Sequence, residues 1–231
     1  MPSKPASPQK TPLLYLITSG KTNARTTPAT EDFLDVLHLV QAAVVAGIDL
    51  VQIREKNLTA SVLYQLSESA AHVTKGSATK LLINDRSDIA AASGADGVHL
   101  TTYSLPTEVI RRTFGDDFLI GVSTHSAREA RIARSGGADF VVFGPVFETG
   151  SKREYGAPQG LTSLERVSLE LAPFPVLALG GLTVGNVANC ILAGAQGIAG
   201  IRMFDDPDQL GHVVKAIRET VRKEPDKSPD S

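Results

Sequence analysis

Three short stretches carry side chains whose types and spacing suit chemistry on a charged ligand. Gln52, Arg54 and Lys56 recur at every second position of Gln52-Ile53-Arg54-Glu55-Lys56. On an extended backbone that spacing brings one amide and two cations to the same side. Such a set fits a polyanion, since guanidinium and ammonium groups both donate to phosphate oxygens; a solvated charged rim would use the same residues. Asn84-Asp85-Arg86 adds an amide for a phosphate oxygen and a carboxylate for Mg2+, an ion often held by one or two carboxylates together with substrate phosphates. A helix cap is the other use of Asp85. Ser123-Thr124-His125-Ser126 pairs a hydroxyl with an imidazole, but no third group completes a nucleophilic triad. Ligand hydrogen bonding, or helix capping by Ser126, needs no such partner.

The elements that must position these residues follow from hydrophobic periodicity. Apolar runs at 13–17, 50–53, 80–83, 97–100, 119–122, 140–143, 175–179 and 198–201 predict strands. Between them lie helical patterns, such as 31–46 with Phe33, Leu34, Leu37, Val40, Val44 and Val45 on its apolar face. Thr59 reads as a helix cap, Ser126 with Glu129 and Thr162 with Glu165 as capping boxes, and Asp206-Pro207 as the start of the last helix. Gly47, Gly94, Gly137 and Gly194 each stand at the end of a helical pattern, just before a short turn and a strand. Strand one runs into Thr18-Ser19-Gly20-Lys21, which does not fit a dinucleotide-binding glycine fingerprint. Eight strand–helix units in just over 200 residues therefore predict a single (β/α)8 TIM barrel. In that fold the polar strand ends share one face. The long loop after strand six, Gly144 to Gly160, contains Thr149, Ser151 and Lys152 as an anion grip. Gly181 after strand seven permits close backbone approach, and Arg202, next to Ile201 at the end of strand eight, adds charge. His99, within strand four, reads as a hydrogen-bonded core residue.

Composition narrows the classes. The 231 residues are 42% hydrophobic and 21% charged with net charge −2, which lacks the basic excess of a nucleic-acid surface. No apolar run approaches the roughly 18 residues of a membrane span. Cys190 is the sole cysteine, so no intrachain disulfide forms, and it reads as a small buried residue in a reducing, cytoplasmic protein. Residues 1–11 and 223–231 have the polar, proline-broken composition of disordered tails around a domain at 12–222.

Taken in order, QIREK at 52–56, NDR at 84–86, GADGVHL at 94–100, GVSTHS at 121–126, GPVFETGSK at 144–152 and GG at 180–181 resemble the thiamine phosphate synthase/TenI family. The resemblance implies that 4-amino-2-methyl-5-hydroxymethylpyrimidine diphosphate is joined to hydroxyethylthiazole phosphate with Mg2+. It implies that Gln52, Arg54, Glu55, Lys56 and Asn84 hold the pyrimidine diphosphate, that Asp85 binds Mg2+, and that Ser123 and Lys152 contact the diphosphate. Thr149 to Ser151 and Gly181, with Ile201 and Arg202 at the end of strand eight, would hold the thiazole phosphate. The partners expected are small phosphorylated substrates, not nucleic acid or membrane, with homo-oligomerisation left open. In synthases of this family Gly-Gln-x-Asp follows strand four, whereas this chain has Thr101-Thr102-Tyr103-Ser104, so the second metal carboxylate is the hydroxyl of Ser104. That departure, with Phe147-Glu148-Thr149 in place of Phe-Pro-Thr, keeps two other readings open. One is a metal-independent thiazole tautomerase with His125 as acid/base; the other is a non-catalytic binder of thiazole or thiamine phosphate.

Overall fold

Parallel strands and helices alternate along the chain. They are β1 (Leu13–Ile17), α1 (Glu31–Ala46), β2 (Leu50–Ile53), α2 (Ala60–Thr74), β3 (Lys80–Asn84), α3 (Ser87–Ser93), β4 (Gly97–Leu100) and α4 (Thr107–Phe114). There follow β5 (Leu119–Thr124), α5 (Ala127–Ser135), β6 (Phe140–Phe143), α6 (Gly160–Leu171), β7 (Val176–Leu179), α7 (Val187–Leu192), β8 (Gly197–Gly200), a 3-10 turn (Arg202–Phe204) and α8 (Leu210–Lys223). Each strand bonds its sequence neighbour, and β1 also pairs with β8, closing the expected (β/α)8 barrel. This computed structural model describes residues 11–148 and 158–223. Most of both expected tails, and Thr149, Ser151 and Lys152 of the anion grip, lie outside the described residues. Among the described residues no helix is long and apolar enough to cross a membrane.

Strands buried on both faces read as nearly continuous apolar runs, and these do. Side chains such as Leu14, Leu16, Val51, Ile53, Leu81 and Ile83 pack outward against the helices. Tyr15, Ile17, Leu50, Leu82, Phe140, Val142, Leu177 and Ala199 point the other way and fill the barrel. Gly121 is small because that interior is full: a Cβ there would stand 2.3 Å from Phe140 Cζ and 2.9 Å from His99 Nδ1.

The repeated glycine turns have a common physical role. Gly47, Gly94, Gly137 and Gly194 all have positive φ, between 74° and 91°. Two residues on, Asp49, Asp96 and Asp139 accept the backbone N–H of Leu14, Leu81 and Ile120 respectively. The starts of β1, β3 and β5 are thus each clasped by the turn leading into the next strand. The fourth repeat has Gln196, whose amide instead donates to the carbonyl of Pro173.

Two expected caps are corrected. Thr162 lies inside α6, whose start at Gly160 has no side-chain cap. The N–H groups of Gln159 and Gly160 instead bond the carbonyls of Pro145 and Val146, so the helix start docks on the loop after β6. Asp206 caps a turn, accepting from the backbone of Asp208 and Gln209, and α8 begins only at Leu210. Thr59 and Ser126 cap α2 and α5 as expected.

Candidate active site at the strand ends

The end of β2 divides into two faces. Glu55 is 3% exposed. Its carboxylate accepts four hydrogen bonds from the loop after β1: Thr18 Oγ1 at 2.6 Å, Gly20 N at 3.2 Å, Thr22 N at 3.2 Å and Thr22 Oγ1 at 2.7 Å. Thr18 Oγ1 in turn accepts from Arg54 N at 2.8 Å. Glu55 is therefore not available to substrate as the resemblance implied. The alternation that groups Gln52, Arg54 and Lys56 sends Glu55 to the opposite side, where it ties the neighbouring loop to β2. Partial desolvation and the Arg54 guanidinium lower the Lys56 ammonium pKa, while Asp85 pulls it back up. These three charges share one patch of rim.

Beneath that patch a chain of polar side chains crosses the barrel. Gln52 Nε2 donates to Asn84 Oδ1 at 2.9 Å, and Tyr15 Oη donates to Gln52 Oε1 at 3.1 Å. Tyr15 Oη also lies 3.1 Å from His99 Nδ1, and His99 Nε2 lies 2.8 Å from Ser123 Oγ. Ser123 falls within β5, which runs on to Thr124, two residues beyond the apolar run. Burial, and secondarily Arg54, push the His99 imidazole pKa down to about 3, so it is neutral. His99 is the buried, hydrogen-bonded residue expected, yet it bonds the predicted ligand residue Ser123 and, through Tyr15, reaches a second one, Gln52. Tyr15 was not predicted at all. A phenol at an interior-facing position of an otherwise aliphatic strand needs a buried partner, and that was the available signal.

Asp85 does not cap α3, whose N-cap is Arg86 without a side-chain bond. Arg86 itself is engaged by Asp88, with Nε to Oδ1 at 2.8 Å and Nη2 to Oδ2 at 2.6 Å. Asp85 has φ 62°, the sole non-glycine positive φ among the described residues. Arg86 N bonds Asn84 O at 2.8 Å across it, which makes Asp85 the centre of a strained γ-turn. Its carboxylate is exposed and bonds no described residue. Ser104 is different: its Oγ accepts from Thr101 N at 2.7 Å and is held by its own loop. Among the described residues no three His, Cys, Asp or Glu side chains are grouped to hold a metal. What remains is one uncommitted carboxylate beside two cations, which fits Mg2+ only in the mode where substrate phosphates supply further oxygens.

The remaining predicted residues sit on the other side of the rim. His125 Nδ1 lies 2.5 Å from Gly144 O, and since a carbonyl can only accept, Nδ1 carries the proton. Gly181 has φ 64°, but a Cβ there would meet Glu148 O at 2.5 Å and Phe147 Cβ at 2.7 Å. The absent side chain makes room for the loop after β6, so the close approach is protein against protein. Ile201 packs on the interior cluster and precedes the 3-10 turn, on which Arg202 is exposed. Cys190 is fully buried, and burial pushes its thiol pKa up to about 11, so it is inert packing.

Comparison with known proteins agrees with this geometry. The family model described as thiamine monophosphate synthase matches residues 14–204. A Geobacter sulfurreducens protein named "Putative thiamine-phosphate synthase" is 44% identical over 175 residues, 75% of this chain and 82% of its own length. The thiamine-phosphate synthase of Haloarcula marismortui is 35% identical over 213 residues, 91% of this chain and 97% of its own. The solved thiamine phosphate pyrophosphorylase of Pyrococcus furiosus superposes with TM-score 0.76 at 27% identity, covering 93% of this chain and 97% of that one. With the motifs, the barrel and these relatives in agreement, the chain belongs to the thiamine monophosphate synthase family.

Proposed function

We propose that this chain is a thiamine phosphate synthase, joining 4-amino-2-methyl-5-hydroxymethylpyrimidine diphosphate to hydroxyethylthiazole phosphate. The single observation that carries the reading is the rim patch in which Lys56 feels the charges of both Arg54 and Asp85, beside the Gln52–Asn84 pair. In the reaction the bond between the pyrimidine methylene carbon and the diphosphate oxygen breaks, and its electron pair leaves with the diphosphate. The thiazole nitrogen then forms a carbon–nitrogen bond to that methylene. Such a departure calls for fixed positive charge around the leaving group more than for proton transfer. Arg54 and Lys56 supply two cations, and Asn84 Nδ2 is left to donate because its Oδ1 is taken by Gln52. Asp85 would hold Mg2+, which when bound adds neutralising charge to the diphosphate. Ser104, its hydroxyl already engaged, contributes no carboxylate. Thr149, Ser151 and Lys152 are assigned to the phosphates by the resemblance, as are Gly181, Ile201 and Arg202.

The test is a two-substrate assay with a Mg2+ titration. Thiamine phosphate should form, and Asp85→Ala should abolish it. Turnover of the non-aromatic thiazole phosphate alone, with no coupled product at any Mg2+ concentration, would replace this reading with the tautomerase. Saturable binding with neither reaction would leave a binding protein.

A further inference from the structure

The polar chain Ser123–His99–Tyr15–Gln52–Asn84 has a direction. Its links measure 2.8, 3.1, 3.1 and 2.9 Å in that order. The three middle members are 2%, 0% and 1% exposed, while Ser123 and Asn84 at the ends are half-buried. A phenol and a neutral imidazole each have a single proton to give. Tyr15 gives its proton to Gln52 Oε1. Its oxygen must then accept from His99 Nδ1–H, which leaves Nε2 bare, and the hydroxyl of Ser123 donates to that nitrogen. At the far end Gln52 gives an amide proton to Asn84 Oδ1. No member can turn round alone, because any single reversal sets two donors or two acceptors face to face. None of the five is among the buried polar side-chain atoms that lack a partner among the described residues, which are in Ser67, Ser168 and Arg218.

We propose that Tyr15 and His99 are positioning residues that make Ser123 a hydrogen-bond acceptor toward substrate and Asn84 a donor, so that Ser123 receives the exocyclic amino group of the aminopyrimidine and not the diphosphate. This inference rests on the synthase reading above. Burial holds the chain in the stated form: His99 is 2% exposed, and its two ring nitrogens bond the hydroxyls of Tyr15 and Ser123 and no carboxylate that would favour a second proton. The chemistry rewards the arrangement. As the carbon–oxygen bond to diphosphate breaks, positive charge spreads from the methylene carbon into the ring and onto the amino nitrogen. The amino N–H becomes a stronger donor, so its bond to Ser123 Oγ tightens most where the barrier is highest. A hydroxyl that is itself donating to an imidazole nitrogen is the better acceptor. No proton moves to Ser123, and the electron pair leaves with the diphosphate.

The test is a double-mutant cycle between Tyr15→Phe and Ser123→Ala, with the His99 tautomer read independently by long-range 1H–15N spectra of the ligand-free protein. Tyr15→Phe should lower kcat about tenfold, the loss of one hydrogen bond's worth of transition-state stabilisation, with little change in KM for the diphosphate substrate. In the Ser123→Ala background the same change should have almost no effect on kcat. Equal effects in both backgrounds would mean a purely structural role and overturn the inference. So would an Nε2–H tautomer of His99, because the chain would then run the other way and Ser123 would donate. Absence of product from the unmodified protein would sink the synthase reading and the amino-group partner with it. The tautomer would still decide the direction of the chain.

Discussion

Asp85 combines backbone strain with an uncommitted carboxylate, and replacing it separates the two. The left-handed conformation costs an ordinary L residue roughly 1–2 kcal/mol, somewhat less for aspartate, and nothing steric for glycine. Asp85→Ala keeps the Cβ at φ 62° and should lose about 1 kcal/mol; Asp85→Gly removes it and should match or exceed the native stability. The side chain is exposed and bonds no described residue, so no packing term offsets this order. Glycine's larger unfolded-chain entropy offsets part of the steric relief, so the glycine–alanine difference should be about 0.5–1 kcal/mol in favour of glycine, or about 1–4 °C in Tm for a chain of this size. Both variants should lose Mg2+-dependent turnover, since neither keeps the carboxylate. Asp85→Gly is therefore expected to be at least as stable as the native protein and inactive. Urea midpoints at unchanged m, read beside the two-substrate assay, measure both effects. A glycine variant no more stable than the alanine variant would refute the strain, and one that keeps its Mg2+ dependence would remove Asp85 from the metal.

Three further outcomes are expected. Glu55→Gln turns one acceptor oxygen into a donor facing other donors, so stability should fall by about 3 kcal/mol and the amides of Gly20 and Thr22 should exchange faster; a loss under about 1 kcal/mol would argue against the frame. Ser104→Asp can still accept from Thr101 N while adding a carboxylate, and should lower the half-saturating Mg2+ concentration about tenfold, whereas an unchanged titration counts against a metal position there. His99 has a folded-state pKa of about 3 against 6.5 in the unfolded chain, so the unfolded state binds more protons in that window. Its stabilisation is complete above pH 6.5 and drains away as pH falls toward 3, by about 2 kcal/mol between pH 7 and 5. The native protein should lose that much more than His99→Gln over the same interval, and parallel pH profiles would show that His99 is not the buried neutral group.

The barrel and half of the site were legible from sequence because both rest on local rules. Strand alternation and the left-handed glycines at 47, 94, 137 and 194 depend on a few neighbouring residues, and they specify eight strand–helix units with polar ends on one face. The same rules group Gln52, Arg54 and Lys56 and turn Glu55 away from them. Contacts across the barrel obey no local rule. Tyr15 and His99 are 84 residues apart, and nothing in either strand says that the two rings meet or which nitrogen carries the proton. Likewise the letters left Asp85 open as cap or metal carboxylate, and gave no sign that Ser104 braces its own loop, until the backbone φ and the Thr101 bond were known. The sequence by itself determined which groups stand at the strand ends. The tertiary structure decided which of their atoms are already spoken for, because a hydrogen bond is satisfied in space and not along the chain.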